Sequence, residues 1–171
     1  MFALIFGLSF LANAQDVQKD QPKGYQFTDI KRLPATSVKD QARAGTCWSW
    51  SGISFFESEM IRMGKEPIDL SAMYIVRHAY SDKATKFVRL HGSMNFAVGG
   101  AFCDVMHVIK NYGIVPMDVY MGLNYGEPNH AFGEIDDVLA GYINAVIKNS
   151  NKKLSTAWKK GFDGILDAYL G

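Results

Sequence analysis

The sequence lacks several features that mark specialised classes of protein. Two cysteines in 171 residues are too few for a disulfide-stapled scaffold or a four-cysteine zinc site. The 18 basic and 17 acidic residues nearly cancel, which excludes a disordered, highly charged tail and a strongly basic nucleic-acid-binding arm. The chain also contains no H-E-x-x-H, no C-x-x-C and no phosphate loop with its lysine. We therefore expect an ordinary globular chain with no cofactor, no metal, and no nucleic-acid or membrane partner.

The longest apolar run lies at the N-terminus. Residues 2–12 are almost entirely apolar, but this run is shorter than the about 20 residues that a bilayer span requires. The triplet Ala12-Asn13-Ala14 places small residues at the positions that signal peptidase reads. We expect a signal peptide over residues 1–14, cleaved before Gln15, and export to the periplasm or the cell exterior. No basic residue precedes Lys19, so the positive n-region is absent, and the alternative is a buried N-terminal strand or helix.

Helical periodicity dominates the rest of the chain. Glycines end two of the patterns, at Gly64 and Gly113, while the hydroxyls of Ser71 and Ser155 are suited to cap two others. Little of the sequence alternates as a strand does, and we expect only a short strand near Thr36–Lys39. Apolar residues recur three and four apart in stretches that predict five helices: Ile53–Met63, Leu70–Val88, Phe102–Tyr112, Ile135–Val146 and Trp158–Tyr169.

Cys47 lies where a glycine-containing turn meets the first of these helices. A helix N-terminus offers unpaired N–H groups and the positive end of the dipole, which favour the nucleophilic thiolate form of a cysteine. Gln41 lies six residues earlier, and Gly45 lets the chain curl, so the Gln41 amide and the Cys47 N–H would form a two-donor oxyanion hole. Trp48 would shield that site from water. The alternative, typical of most free cysteines, is a small buried hydrophobic residue.

The stretch Q-A-R-A-G-T-C-W at residues 41–48 resembles the nucleophile segment of papain-like cysteine peptidases. Four further motifs follow in an order similar to that of the bleomycin hydrolase/aminopeptidase C branch: L-S (70–71), V-R-H-A-Y (76–80), G-G (99–100) and K-N-Y-G-I-V-P (110–116). The resemblance extends from about Thr28 to Gly171. It implies an α+β papain-like fold, present here mostly as its helical nucleophile lobe over residues 15–133. Residues 134–171 would begin the inserted helices.

The resemblance also implies roles for individual residues. Cys47 matches the nucleophile and Gln41 the oxyanion-hole side chain. Gly99 and Gly100, with Trp48 beside them, match the backbone that pairs with the substrate residue two before the scissile bond. Without the resemblance, the two glycines would indicate a simple turn before a helix. The full-length protein would be a thiol aminopeptidase that binds peptides and forms a homo-hexamer. The alternatives are a papain-like endopeptidase and an inactive helical remnant or binding module.

Three positions depart from the family pattern. Ala42 stands where glycine is common, and Trp50 where phenylalanine or alanine is common. Ala44 stands where secreted papain-like enzymes usually carry a disulfide cysteine. This agrees with the bleomycin hydrolase branch, whose members mostly have no disulfides. We therefore expect Cys103 to be a buried helix thiol rather than a functional residue.

The catalytic imidazole is not among the predicted site residues. Papain-like enzymes place it about 130–150 residues after the nucleophile, which here falls beyond Gly171. The histidines of this sequence lie in helix patterns or in loops, and none is expected to be the base: His78, His91, His107 and His130. The chain is therefore expected to be an N-terminal fragment that is inactive by itself.

Overall fold

The predicted helical periodicity is confirmed in all five stretches. The computed structural model describes residues 24–25 and 27–171, and the expected signal peptide over residues 1–14 lies outside them. None of the described helices combines the length and the apolar character that a bilayer span requires. The helices are α1 (Cys47–Arg62), α2 (Ala72–Arg89), α3 (Phe102–Tyr112), α4 (Gly133–Ile147) and α5 (Ala157–Leu170).

The helix ends follow the capping residues closely. The Ser71 hydroxyl accepts a hydrogen bond from the Tyr74 N–H at 3.0 Å, so the predicted N-cap of α2 is confirmed. At α5 the cap is Thr156, one residue later than predicted, although the Ser155 hydroxyl accepts from the Ala157 N–H at 3.2 Å. Short side-chain oxygens thus satisfy N–H groups that the first turn of a helix leaves unpaired.

The strand expected near Thr36–Lys39 is not formed, and that prediction was wrong. Within the described residues, β pairing is limited to two isolated bridges, between Arg43 and Ala131 and between Leu70 and Pro116. The described part of the fold is therefore a helical lobe, with extended segments that run across the helices.

A buried carboxylate binds side chains of the segment where the strand was expected. Glu57 in α1 is only 1% exposed. It accepts hydrogen bonds from the Leu70 N–H at 2.7 Å, from Lys39 Nζ at 2.8 Å and from the Thr36 hydroxyl. These contacts tie the leading segment, which we define as residues 36–46, to the side of α1 instead of to a neighbouring strand.

Helix α2 is central among the five helices, because it packs against each of the other four. The remaining helix contacts join α1 to α3 and α4 to α5. Residues Leu33–Gly171 form one compact unit. A second unit, Met1–Arg32, is described only at residues 24–25 and 27–32, which have no helix or strand. The buried residues of α2 accordingly lie on more than one side of the helix: Ala72, Met73, Ile75, Val76, Ala79, Tyr80, Ala84, Phe87 and Val88.

Candidate active site

Cys47 is the first residue of α1, and its side chain is exposed and free of any disulfide. No acceptor among the described residues takes a hydrogen bond from its backbone N–H. Thr46 occupies the N-cap position without capping the helix, because its hydroxyl accepts the indole N–H of Trp50 at 3.1 Å. The first turn of α1 therefore presents an exposed thiol beside an unpaired backbone donor, at the positive end of the helix dipole.

The leading segment reaches Cys47 through two residues with positive φ. Ala42 has φ +51°, a left-handed conformation that accounts for the glycine common at this position in the family it resembles. Its N–H donates to the Asp40 carboxylate at 2.7 Å. Gly45 has φ +65°, and a Cβ built on it would lie 3.2 Å from a methyl group of Val98. The predicted curl at Gly45 is therefore present in the backbone.

Gln41 lies at the start of this curl, and its backbone carbonyl accepts from the Ala44 N–H at 3.2 Å. Its side-chain Oε1 is buried and has no hydrogen-bond partner among the described residues. No other described residue takes a hydrogen bond from its amide nitrogen. The amide is thus not committed to a neighbouring group of the described lobe.

Residues 98–100 lie against α1 and α2 through Trp48 and Lys83. The Trp48 indole N–H donates to the Val98 carbonyl at 3.0 Å, and the Lys83 ammonium donates to the Gly99 carbonyl. Gly100 touches the face of the indole, since a Cβ there would lie 2.5 Å from a ring carbon. Both glycines are exposed on their other side. Trp48, Gly99 and Gly100, which the sequence grouped as substrate-binding residues, are therefore neighbours in the structure.

Cys103 is exposed in the first turn of α3, so the expectation that it is buried was wrong. The buried side chains of α3 are Val105 and Val108, and Cys103 lies on a different face of the helix. Phe102 and Met106, two apolar residues of the predicted Phe102–Tyr112 helix, are also about half exposed.

His130 is buried next to the leading segment. Its carbonyl accepts from the Arg43 N–H at 2.9 Å, and its ring centroid lies 6.0 Å from that of Trp50. Its Nδ1 is buried without a hydrogen-bond partner in the described residues. Burial lowers the pKa of His130 below its ordinary value, because it disfavours the charged imidazolium. This histidine packs near Trp50 and has no hydrogen bond to the Cys47 thiol.

Two of the other three histidines contact other side chains, and the third is an exposed loop residue. His78 stacks on Tyr112 with ring centroids 4.3 Å apart, and burial lowers its pKa. His107 is exposed and lies 3.1 Å from the Asp82 carboxylate. His91 is an exposed loop residue with φ +50°. No hydrogen bond joins any imidazole to the Cys47 thiol, and none of the described residues forms a cluster suited to a metal ion.

Sequence reasoning missed two polar residues that shape this region, Glu57 and Lys83. Lys83 falls three residues after Tyr80 and four before Phe87, both buried, so its position on the buried side of α2 was visible in the helical periodicity. Glu57 follows the buried Ile53 by four residues and gives the same signal. A charged residue in such a register predicts a partner that compensates for its burial, although the sequence does not identify that partner.

An exposed cysteine at a helix N-terminus, preceded by a curled segment with a free amide, is an arrangement suited to a thiol nucleophile. Residues 22–157 match the family model of the papain family cysteine proteases. Because the match spans most of the sequence, the chain belongs to this family. Its helices correspond to a helical lobe of the papain-like fold, and membership indicates a cysteine peptidase. A comparison with curated proteins returned no match.

Proposed function

We propose that this chain carries the nucleophile lobe of a cysteine aminopeptidase of the bleomycin hydrolase type. The observation that supports it best is the exposed Cys47 thiol at the uncapped start of α1, with its own N–H unpaired. Papain-family membership supports the peptidase chemistry. The motifs quoted above support the aminopeptidase branch, since they follow the order found in that branch.

In the proposed reaction, the Cys47 thiolate adds to the scissile carbonyl carbon, and the negative charge moves to the carbonyl oxygen. The Cys47 N–H and the Gln41 amide donate to that oxygen. The C–N bond then breaks, and the amine leaves with a proton supplied by an imidazolium. Water hydrolyses the thioester, which releases the acid and restores the thiol. None of the four histidines bonds to Cys47, so we propose that the imidazole and its orienting residue come from outside these 171 residues.

The chain offers its own control for the nucleophile, because Cys47 and Cys103 are both exposed and both lie in the first turn of a helix. In the natural gene product, where the proposed imidazole activates Cys47 and not Cys103, we expect iodoacetamide at about pH 6 to alkylate Cys47 at least about tenfold faster than Cys103. Peptide mapping by mass spectrometry measures both rates in one sample. Equal rates would favour the inactive helical module instead.

The aminopeptidase assignment needs a separate test. We expect the natural gene product to release residues one at a time from a peptide with a free N-terminus, and to leave the N-acetylated peptide intact. Comparable cleavage of both peptides would show an endopeptidase and overturn the aminopeptidase assignment. Because the peptidase chemistry is read from Cys47, the two conclusions are tested independently.

A further inference from the structure

The Lys83 side chain of α2 donates a hydrogen bond to the Gly99–Gly100 segment, and the reaction proposed above gives it no role. Its ammonium donates to the Gly99 carbonyl and lies 5.2 Å from the centroid of the Trp48 ring. It also lies 6.0 Å from the centroid of Tyr80. The side chain therefore bridges α2, the indole and the backbone at residue 99, with cation–π contacts on two rings.

Lys83 is half-buried, so its ammonium depends on these contacts to replace the water that it has lost. Burial lowers the pKa of Lys83, while the charges of Asp104 and Asp136 favour its ammonium form. A partly desolvated ammonium is stable only where acceptors replace its lost water. Here the Gly99 carbonyl and the two aromatic faces are those replacements, so the lysine and the segment it contacts hold each other in place.

This arrangement leaves the N–H and the carbonyl of Gly100 unpaired, although the backbone groups on either side are occupied. The Val98 and Gly99 carbonyls are occupied by Trp48 and Lys83, and the Ala101 N–H donates to Asp104 at 2.8 Å. Neither the N–H nor the carbonyl of Gly100 forms a hydrogen bond with the described residues. A backbone segment fixed on both sides, with one free donor and one free acceptor, can pair with the backbone of a bound peptide.

We propose that Lys83 is a positioning residue for peptide binding: by joining the Gly99 carbonyl to the Trp48 ring, it fixes the backbone of Gly100 against Trp48, the residue that follows Cys47. The proposal rests on the proposed function and deepens it. Lys83 acts on the recognition of an extended peptide and leaves the intrinsic reactivity of the Cys47 thiol unchanged. A neutral side chain of similar length would keep the apolar contacts and lose the ammonium.

In the natural gene product, two electrophiles separate peptide recognition from the reactivity of the Cys47 thiol. Iodoacetamide reports the thiol alone, whereas a dipeptidyl chloromethyl ketone must also bind the peptide edge before it alkylates Cys47. We expect K83M to lower the rate with the dipeptidyl reagent about tenfold, the effect of losing one charge-assisted hydrogen bond, and to leave the iodoacetamide rate within about twofold of wild type. K83R, which keeps a cationic donor, should recover part of the loss.

Lys86 supplies the matched control, because it is an exposed lysine one turn further along α2. K86M should match wild type with both reagents. Equal losses with both reagents in K83M would show a general structural effect and overturn the proposal, as would no loss with either.

A second readout does not depend on any peptidase chemistry. The Trp48 indole N–H, bonded to Val98, should exchange with solvent faster in K83M than in K86M when followed by NMR. Unchanged exchange would overturn the role of Lys83 even if Cys47 proves to be the nucleophile. Faster exchange in a protein whose Cys47 shows no preference for the dipeptidyl reagent would instead count against the proposed function.

Discussion

The leading segment and the bundle of α2, α4 and α5 are held by different kinds of interaction. The segment is fixed by directional polar contacts, such as those of Lys39 with Glu57 and of Arg43 with the backbone of His130. The bundle is held mainly by apolar side chains that are completely buried, including Ile143 and Phe162. Apolar burial is non-directional and tolerates small shifts, whereas a hydrogen bond specifies the position of its partners.

This difference matters for Cys47, because its position depends on the polar region. The bundle supplies most of the stability, and the leading segment supplies the geometry at the start of α1. Substitutions in the bundle should therefore change mainly the free energy of unfolding. Substitutions in the leading segment should also change the reactivity of the Cys47 thiol.

The largest effect is expected in the bundle, for Phe162→Ala. Phe162 in α5 is 0% exposed and lies edge-on to Phe96, with centroids 5.9 Å apart. Its truncation removes a fully buried ring and leaves a cavity, which should lower the free energy of unfolding by about 3–5 kcal/mol in a urea titration. Phe55→Ala is the control, since Phe55 is 52% exposed, and an equal loss there would contradict this account of the bundle.

The next largest effect is expected for Glu57→Ala, which removes the anchor of the leading segment. The Leu70 N–H would stay buried without a partner, although Lys39 would keep its ion pair with Asp69 at 2.7 Å. We expect a loss of about 3 kcal/mol in unfolding free energy. Burial lowers the pKa of Lys39, but its bonds to Asp69 and Glu57 outweigh this and raise it.

Glu59 provides the control for this substitution, because it lies on the same helix and pairs with Arg62 at the surface. Surface pairs contribute little, so Glu59→Ala should barely change the denaturation midpoint. Similar losses for the two glutamates would show that the buried contacts of Glu57 are not what holds the segment.

A smaller effect is expected for Gly45→Ala. Alanine would be strained at φ +65°, at a cost of about 1–2 kcal/mol, and its Cβ would press on Val98. Gly64→Ala is matched in strain, with φ +77°, but meets no atom within 4 Å. Both variants should lose stability, and G45A alone should change the rate at which iodoacetamide alkylates Cys47. An unchanged rate in G45A would mean that the curl does not control the thiol.

The smallest effect concerns pH and His130. Burial holds the pKa of His130 below 6.5, so the unfolded chain binds a proton more readily than the folded protein. Stability should thus be greatest above pH 6.5 and fall as the pH drops below that value. His130→Phe should weaken this decline, measured by urea titrations at several pH values, and should not destabilise the protein at pH 8. His78, whose pKa burial also lowers, would maintain part of the decline. The same decline in wild type and H130F would exclude His130 as its source.

The helices were predictable because their signals are local. Apolar spacing marked all five, and Ser71 and Gly113 marked two of their ends. The position of Cys47 at the start of α1 followed from the same periodicity. These features depend on residues three or four apart, which a single sequence displays directly.

Contacts between distant residues could not be predicted in this way. The strand expected near Thr36–Lys39 is not formed, and the side chains of Thr36 and Lys39 bond instead to Glu57, far along the chain. The exposure of Cys103 depends on which side of α3 meets α1 and α2, and the apolar pattern there was wide enough to allow either side. The link from Lys83 to Gly99 likewise joins two segments whose meeting no local pattern encodes.

The central place of α2 has a consequence for how the chain is made. Helices α1 to α3 leave the ribosome before α4 and α5 exist, so the nascent α2 has one side without a partner. The hydroxyls of Tyr80 and Ser81 acquire Asp136 and Asp163 only when the last two helices have been translated. Ribosome-bound chains that stop before α4 should therefore expose apolar surface to chaperones, and this exposure should end once α5 has emerged.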